Sequence, residues 1–403
     1  MSAADLLIIG AGPAGTSTAI HAARAGWRVT VVDRARFPRD KPCSEYMSPE
    51  AVRHLDRLGV LTALDGAGGT QLAGTTVIGP RGSRLTGLFA LAGTAPWRPT
   101  GLSLPRYLVD NHLVAAARAA GATVLEGHAV EDLLFTRGAI AGAMVRTPDG
   151  SHLPLRARLT VGADGLRSVV ARRLGVRRRA AWPRRMAFVA HVADVPGLED
   201  RAEMHVGPDG YVGLNPLGHG LVNVALVVPE SLVVAARGRA EAFFLDRLAT
   251  FPGVRGRVRR EAIRRRVLVT GPFAAWSSRV TGDGVLLTGD AADFFDPFTG
   301  EGICTALRGG ELAAEAAREA LADPGPVTAE RLAGYAAARR RAFAGKWVVE
   351  RLIGWGMAAP ALFDRAIGRL EARGWSHTLI GVTGDFVPAR QVLNPRFLAG
   401  MLW

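Results

Sequence analysis

Gly10-Ala11-Gly12-Pro13-Ala14-Gly15 decides how this chain is read, because of what stands on either side of it. It follows the apolar run Leu6 to Ile9 and opens an Ala-rich stretch, Thr16 to Ala25, with helical spacing; a second run, Arg28 to Val32, ends at Asp33. The order is strand, tight glycine turn, helix, strand. In such a unit two glycines let the turn form and a pyrophosphate approach the backbone, and the third lets helix and strand pack closely. The free N–H groups of the helix start face the phosphates. Asp33 stands about 20 residues on, where an acid accepts hydrogen bonds from a ribose diol. With its neighbour Arg34 it joins Gly10, Gly12, Pro13, Ala14 and Gly15 as an expected nucleotide contact. The unit predicts a dinucleotide and leaves open which one.

Two later segments carry a resemblance that narrows it. Asp164-Gly165 follows the strand-like Leu159 to Val161, and Gly289-Asp290 follows Val285 to Leu287. They resemble the second and third fingerprints of the group A flavoprotein monooxygenase and geranylgeranyl reductase superfamily. The resemblance implies FAD, with Asp290 on the ribityl chain. Asp296-Pro297-Phe298-Thr299-Gly300-Glu301-Gly302-Ile303 is similar to the geranylgeranyl reductase branch, where such a segment passes beside the isoalloxazine and opens a long helix. Gly300 and Gly302 allow close approach to a flat ring, and the helix start near Gly302 and Ile303 can stabilise negative charge at its N1/O2 edge. Glu301 is counted with them among the expected cofactor contacts, its simpler reading being a first-turn acid that complements the helix dipole.

Pro38-Arg39-Asp40-Lys41-Pro42-Cys43-Ser44-Glu45 resembles a family segment usually written Cys-Gly, so Ser44 is a departure that predicts a changed loop over the flavin face. Cys43 is a candidate flavin contact and proton donor, with a buried inert thiol as the alternative; Cys304 is read as core. A helix beginning at Ser103 to Asp110 carries Arg106, which the resemblance makes a phosphate or flavin-edge contact. Val130, on the run Val130 to Phe135, is similar to the strand that meets the adenine through its backbone.

The implied fold class is α/β: a Rossmann-like FAD-binding domain of glutathione-reductase type, interleaved with an antiparallel β-sheet substrate domain and followed by a C-terminal helical cap. The expected division is 1–70, 101–180 and 276–345 for FAD, 71–100 and 181–275 for substrate, and 346–403 for the cap. Ala187 to Val192, Tyr211 to Pro216 and Leu221 to Val228 are the expected sheet strands. At 403 residues with 48% hydrophobic content, the chain has material for two cores.

The net charge of +14 is carried almost wholly by arginine, since Lys occurs only at 41 and 346. Without interleaved aromatics or a recognition motif, the Arg groups at 172–179 and 255–266 read as solvated faces, which argues against nucleic acid and leaves peripheral membrane contact open. No leader, no apolar span of about 18 residues and only two cysteines predict a cytoplasmic enzyme without a disulfide framework. The nine histidines form no metal-ligand pattern, so no metal is expected; His191 and His205 read as structural.

A halogenase Trp-x-Trp-x-Ile-Pro signature would fall at Tyr211-Val212-Gly213-Leu214-Asn215-Pro216, where both Trp positions and the Ile are changed. The remaining readings are NAD(P)H-dependent monooxygenation of a lipophilic polyketide, terpenoid or aromatic compound, and reduction of prenyl double bonds. In the latter, Cys43 or Tyr211 is the proton source. The substrate-sheet motif and Gly381 to Pro388 favour oxygenation; a flavin-binding partner without catalysis is the reading from another class. No second nucleotide turn is present, so NAD(P)H is expected to dock transiently, or a separate flavin reductase supplies electrons.

Overall fold

The computed structural model describes residues 4–236 and 238–402, so residues 1–3, 237 and 403 of the ranges above lie outside it. Strand Ala4–Ile9 lies at the centre of a parallel sheet, between His152–Gly162 on one side and Val29–Asp33 on the other. Val285–Leu287 and Thr123–Glu126 complete the five parallel strands. Leu6, Leu7, Ile8 and Ile9 are all buried, because helices cover one face of the sheet and an antiparallel meander of Ala129–Thr136, Ala139–Arg146 and His152–Gly162 extends it over the other.

Helix Pro13–Arg24 starts directly at the glycine turn, with Pro13 at a position where no N–H is needed. It packs on the long helix Gly302–Ala322 so closely that a Cβ on Gly310 would sit 2.5 Å from the Ala14 carbonyl oxygen. Ser17 Oγ seals the contact by donating to the Leu307 carbonyl at 2.8 Å.

A second sheet of seven strands runs in the order Ile263–Thr270, Arg185–Ala193, Leu221–Pro229, Gly210–Gly218, Arg201–Gly207, Gly74–Ile78 and Arg84–Leu88. It is mixed where the resemblance implied antiparallel, because Arg201–Gly207 pairs in parallel with Gly74–Ile78, a strand delivered from the first half of the chain. Alternation sorts its residues between two faces. Phe188, Val212, Leu214, Val224 and Leu226 pack against helix Ala240–Leu248, while Ala187, Val189, Tyr211 and Val227 face inward toward the C-terminal helices. Those helices are Ala333–Gly356, Pro360–Ala372, Ser376–Thr383 and Pro395–Leu402, and the expected cap boundary at 345/346 falls inside the first of them. No helix among the described residues is long and apolar enough to cross a membrane.

Candidate active site

The glycine turn, the Pro38–Glu45 segment, the inward face of the second sheet and the Gly289–Ile303 segment enclose one cleft. Gly12, Pro13, Ala14, Cys43, Arg106, Gly165, Tyr211, Gly289, Asp290, Gly300, Gly302 and Ile303 all line it. The three glycines of the turn do different work. Gly10 has φ +104° and a Cβ there would fall 2.5 Å from the Ala163 carbonyl oxygen; a Cβ on Gly15 would lie 1.8 Å from the Gly10 carbonyl oxygen. Both are required by packing. A Cβ on Gly12 would meet only Arg39 Nη2, at 3.5 Å, so what the missing side chain keeps clear is space in front of the helix N-terminus. That is the space a pyrophosphate needs.

Charge around this space suits a dinucleotide. Arg39, Arg106 and Lys41 converge on it, and Asp110 offsets part of their charge, holding Arg106 Nε and Nη2 at 2.9 Å each and Arg39 Nη2 at 3.2 Å. Burial lowers the Lys41 pKa, with the nearby Arg106 adding to the effect and Asp290 opposing it. Arg39 and Lys41 were not singled out from the sequence. The available signal was that only two lysines persist in an Arg-dominated chain; Lys41 lines the cleft, and Lys346 is buried behind it.

Other expected contacts are placed differently. Asp33 Oδ2 accepts from the Ala11 N–H and Oδ1 from the Ala35 N–H, both at 2.8 Å, so the carboxylate already braces the glycine turn and reaches a ribose only through its second lone pairs. Arg34 is exposed, and Val130 sits opposite Val145 in the meander; neither lines the cleft. Asp164 turns toward the short helix Val169–Arg173, its Oδ2 accepting from the Val169 N–H at 2.6 Å, while Oδ1 is buried with no partner among the described residues.

Asp290 does face the cleft. The side-chain hydrogen bond at this residue goes to its carbonyl oxygen, from Arg177 Nη1 at 3.1 Å, and the carboxylate stays open to the cleft, where the expected partner is the ribityl chain. Such bonds to a charged group contribute about 1.5 to 3 kcal/mol. Asp290→Ala is therefore expected to weaken FAD binding by roughly 10- to 150-fold, measured by fluorescence titration of the apoprotein. Unchanged affinity in a folded variant would reassign Asp290 to the turn alone.

Glu301 does not act as the expected dipole-complementing acid. It occupies the N-cap position of helix Gly302–Ala322 without a side-chain cap, and its carboxyl is 2% exposed, turned away to accept from Ser48 Oγ at 3.0 Å. Burial pushes its pKa up to about 8, against the pull of Lys346, so at neutral pH the group is mostly uncharged.

The Cys43 loop is held from every side. Cys43 Sγ accepts from the Glu45 N–H at 3.4 Å, and its carbonyl accepts from Asn223 Nδ2 at 2.7 Å. Asn215 Nδ2 donates to the Ser44 carbonyl and to Ser103 Oγ. Glu45, fully buried with φ 60°, accepts from the Arg106 N–H at 2.7 Å and from His191 Nε2 at 2.6 Å, contacts that hold a backbone region non-glycine residues rarely adopt. The left-handed residue of the loop is thus Glu45, and Ser44 occupies the family's glycine position without a positive φ.

Tyr211, buried in the opposite wall, donates to Asp296 Oδ1 at 2.6 Å, and Arg185 Nη1 meets Asp296 Oδ2 at 2.7 Å. Burial and then Asp296 drive the Tyr211 pKa well above its ordinary value. Paired strands place Ala187 opposite Val227, Val189 opposite Ala225, and Gly213 opposite Ala225, so this wall is apolar apart from the Tyr211 and Thr270 hydroxyls. Cys304 is in the core, as read from the sequence.

The chain matches the FAD binding domain family over residues 3–348. It is 33% identical over 333 residues to a menaquinone reductase of Mycolicibacterium smegmatis, covering 77% of this chain and 76% of that protein. It is 30% identical over 325 residues to digeranylgeranylglycerophospholipid reductase 2 of Methanothermobacter thermautotrophicus, covering 79% and 78%. The solved flavoprotein/dehydrogenase of Cytophaga hutchinsonii superposes with a TM-score of 0.84 at 22% identity, over 98% of this chain and 96% of that one, a likeness of fold. The chain belongs to the FAD-binding domain family and is an FAD-dependent oxidoreductase.

Proposed function

We propose that this oxidoreductase reduces carbon–carbon double bonds in the isoprenoid chain of a lipid. The observation that carries the reading is the pairing of an apolar wall with a proton donor across the same cleft: Cys43 stands beside the Arg106 guanidinium, facing the Ala187, Val189, Ala225 and Val227 side chains. Reduction of an alkene adds a hydride to one carbon and a proton to the other, whereas oxygenation needs little from the protein beyond a dry pocket. Bound FAD, once reduced, supplies the hydride.

Cys43 supplies the proton better than Tyr211. Loss of the Tyr211 proton would set a phenolate against Asp296, whereas a Cys43 thiolate would face Arg106, which Asp110 and Cys43 keep charged despite its burial. Solvent then restores the thiol proton. The relatives named above support the substrate class, because the only reducible bonds of a geranylgeranyl chain are its alkenes. Similarity to reductases over about three quarters of the chain outweighs the two segments that favoured oxygenation. In one of them, Asn215 serves to hold the Cys43 loop. Electrons come from transiently docked NAD(P)H or from a separate flavin reductase.

Incubation with NADPH and a geranylgeranyl-bearing lipid under nitrogen is expected to give product heavier by two hydrogens, read by mass spectrometry. A product formed only in air, and heavier by one oxygen, would replace reduction by monooxygenation.

A further inference from the structure

Glu301 takes no part in the proposed reaction, and its surroundings are unusual. Oε2 accepts from Ser48 Oγ, which is itself fully buried and accepts from the Ala51 N–H at 3.3 Å. Oε1 is buried and has no hydrogen-bond partner among the described residues. The residue is the N-cap of helix Gly302–Ala322 and lies between Gly300 and Gly302, both of which line the cleft. A neighbouring cavity of about 30 Å³, room enough for a water, is bordered by Gly302, Thr305, Lys346 and Glu350.

We propose that Glu301 is a redox-linked proton acceptor, a buried carboxyl that takes up a proton when the flavin beside it is reduced. The reductant's hydride brings two electrons and one proton to the site; a second proton comes from solvent and forms the O–H bond at Glu301. The physical cause is charge: reduction places negative charge at the ring edge, and a neighbouring carboxylate is then penalised unless it is protonated. This inference holds for any substrate and requires only bound FAD.

Lys346, from helix Ala333–Gly356, favours the carboxylate of Glu301 and is itself held charged, against burial, by Asp385, Glu301 and Glu350. Asp385 opposes ionisation of Glu301, and burial raises its own pKa. Glu350 is pushed up to about 7 by burial. Glu50, Cys304, Arg308 and the buried Tyr46, whose hydroxyl burial and then Glu301 push upward, are the other titratable or charged groups around it. Burial already raises the Glu301 carboxyl to about 8, and negative charge on a neighbouring ring raises it further. Below pH 8 it carries a proton in both redox states and adds nothing. Above pH 8 it is ionised when the flavin is oxidised and protonated when it is reduced, so one further proton is taken up per two electrons.

The test is the pH dependence of the two-electron reduction potential of the holoprotein, measured with reference dyes. The slope is expected to steepen above pH 8 by a factor of ten in the equilibrium constant per pH unit, about 30 mV, and Glu301→Gln is expected to remove that steepening. A reduced-minus-oxidised infrared spectrum recorded above pH 8 should show a protonated-carboxyl band that the same variant lacks. Ser48→Ala, which deletes a donor to the carboxylate, is expected to move the break to higher pH, and it decides the matter if Glu301→Gln retains no FAD. No steepening in the unmodified protein, steepening that survives Glu301→Gln, or a break unmoved in Ser48→Ala would each overturn the proposal.

Discussion

Replacing Gly12 by valine is expected to give a folded protein that carries no FAD. The backbone at Gly12, with φ −79° and ψ −177°, is ordinary extended geometry that valine adopts readily. A Cβ there would meet only Arg39 Nη2, so the fold has no reason to fail. The added methyls would instead occupy the space before the helix N-terminus and keep the pyrophosphate off the N–H groups. Absorbance near the flavin maximum should vanish from the purified variant while its circular dichroism is unchanged. Gly15→Val provides the contrast, since its Cβ would fall 1.8 Å from the Gly10 carbonyl oxygen and must disrupt the turn itself. Full FAD occupancy in Gly12→Val would remove the glycine turn from the cofactor site.

Cys43→Ala is expected to lower the rate of substrate reduction by about 10² to 10⁴, the usual worth of a positioned acid, with FAD content and the rate of flavin reduction unchanged. Cys43 is half-buried in the cleft wall, and its loop is held by Asn215, Asn223 and Glu45, so loss of the sulfur leaves the loop's backbone contacts in place. Cys43→Ser would keep the volume and a weaker acid and should fall between the two. A loss of less than tenfold in Cys43→Ala, equivalent to about 1.4 kcal/mol of barrier, would mean that the proton comes from elsewhere.

What the sequence made legible follows the reach of local physics. The strand–turn–helix around Gly10 to Gly15 is written within a few dozen residues, and both the short strand Val285–Leu287 and the long helix opening at Gly302 lie where motif and apolar runs placed them. Which way a side chain turns depends on partners far away in the chain. Glu301 was read as a dipole-complementing acid because its position in the helix is local, whereas the Ser48 hydroxyl that takes it inward comes from 253 residues away. Arg106, expected at a phosphate or the flavin edge, does line the cleft, and Asp110, one helical turn on, takes two of its donors. In hindsight that i, i+4 spacing was visible in the sequence. The Glu45–His191 pair spans 146 residues, and nothing local announces it. The parallel pairing of Arg201–Gly207 with Gly74–Ile78 was hidden for the same reason.

The most direct measurement reduces the holoprotein without oxygen, removes the reductant and mixes it with a geranylgeranyl-bearing lipid while flavin absorbance is followed. Alkene reduction requires that the oxidised flavin spectrum return under strict anaerobiosis, in step with one saturated bond per flavin. Flavin that stays reduced until air is admitted, and then yields an oxygenated product, would contradict it.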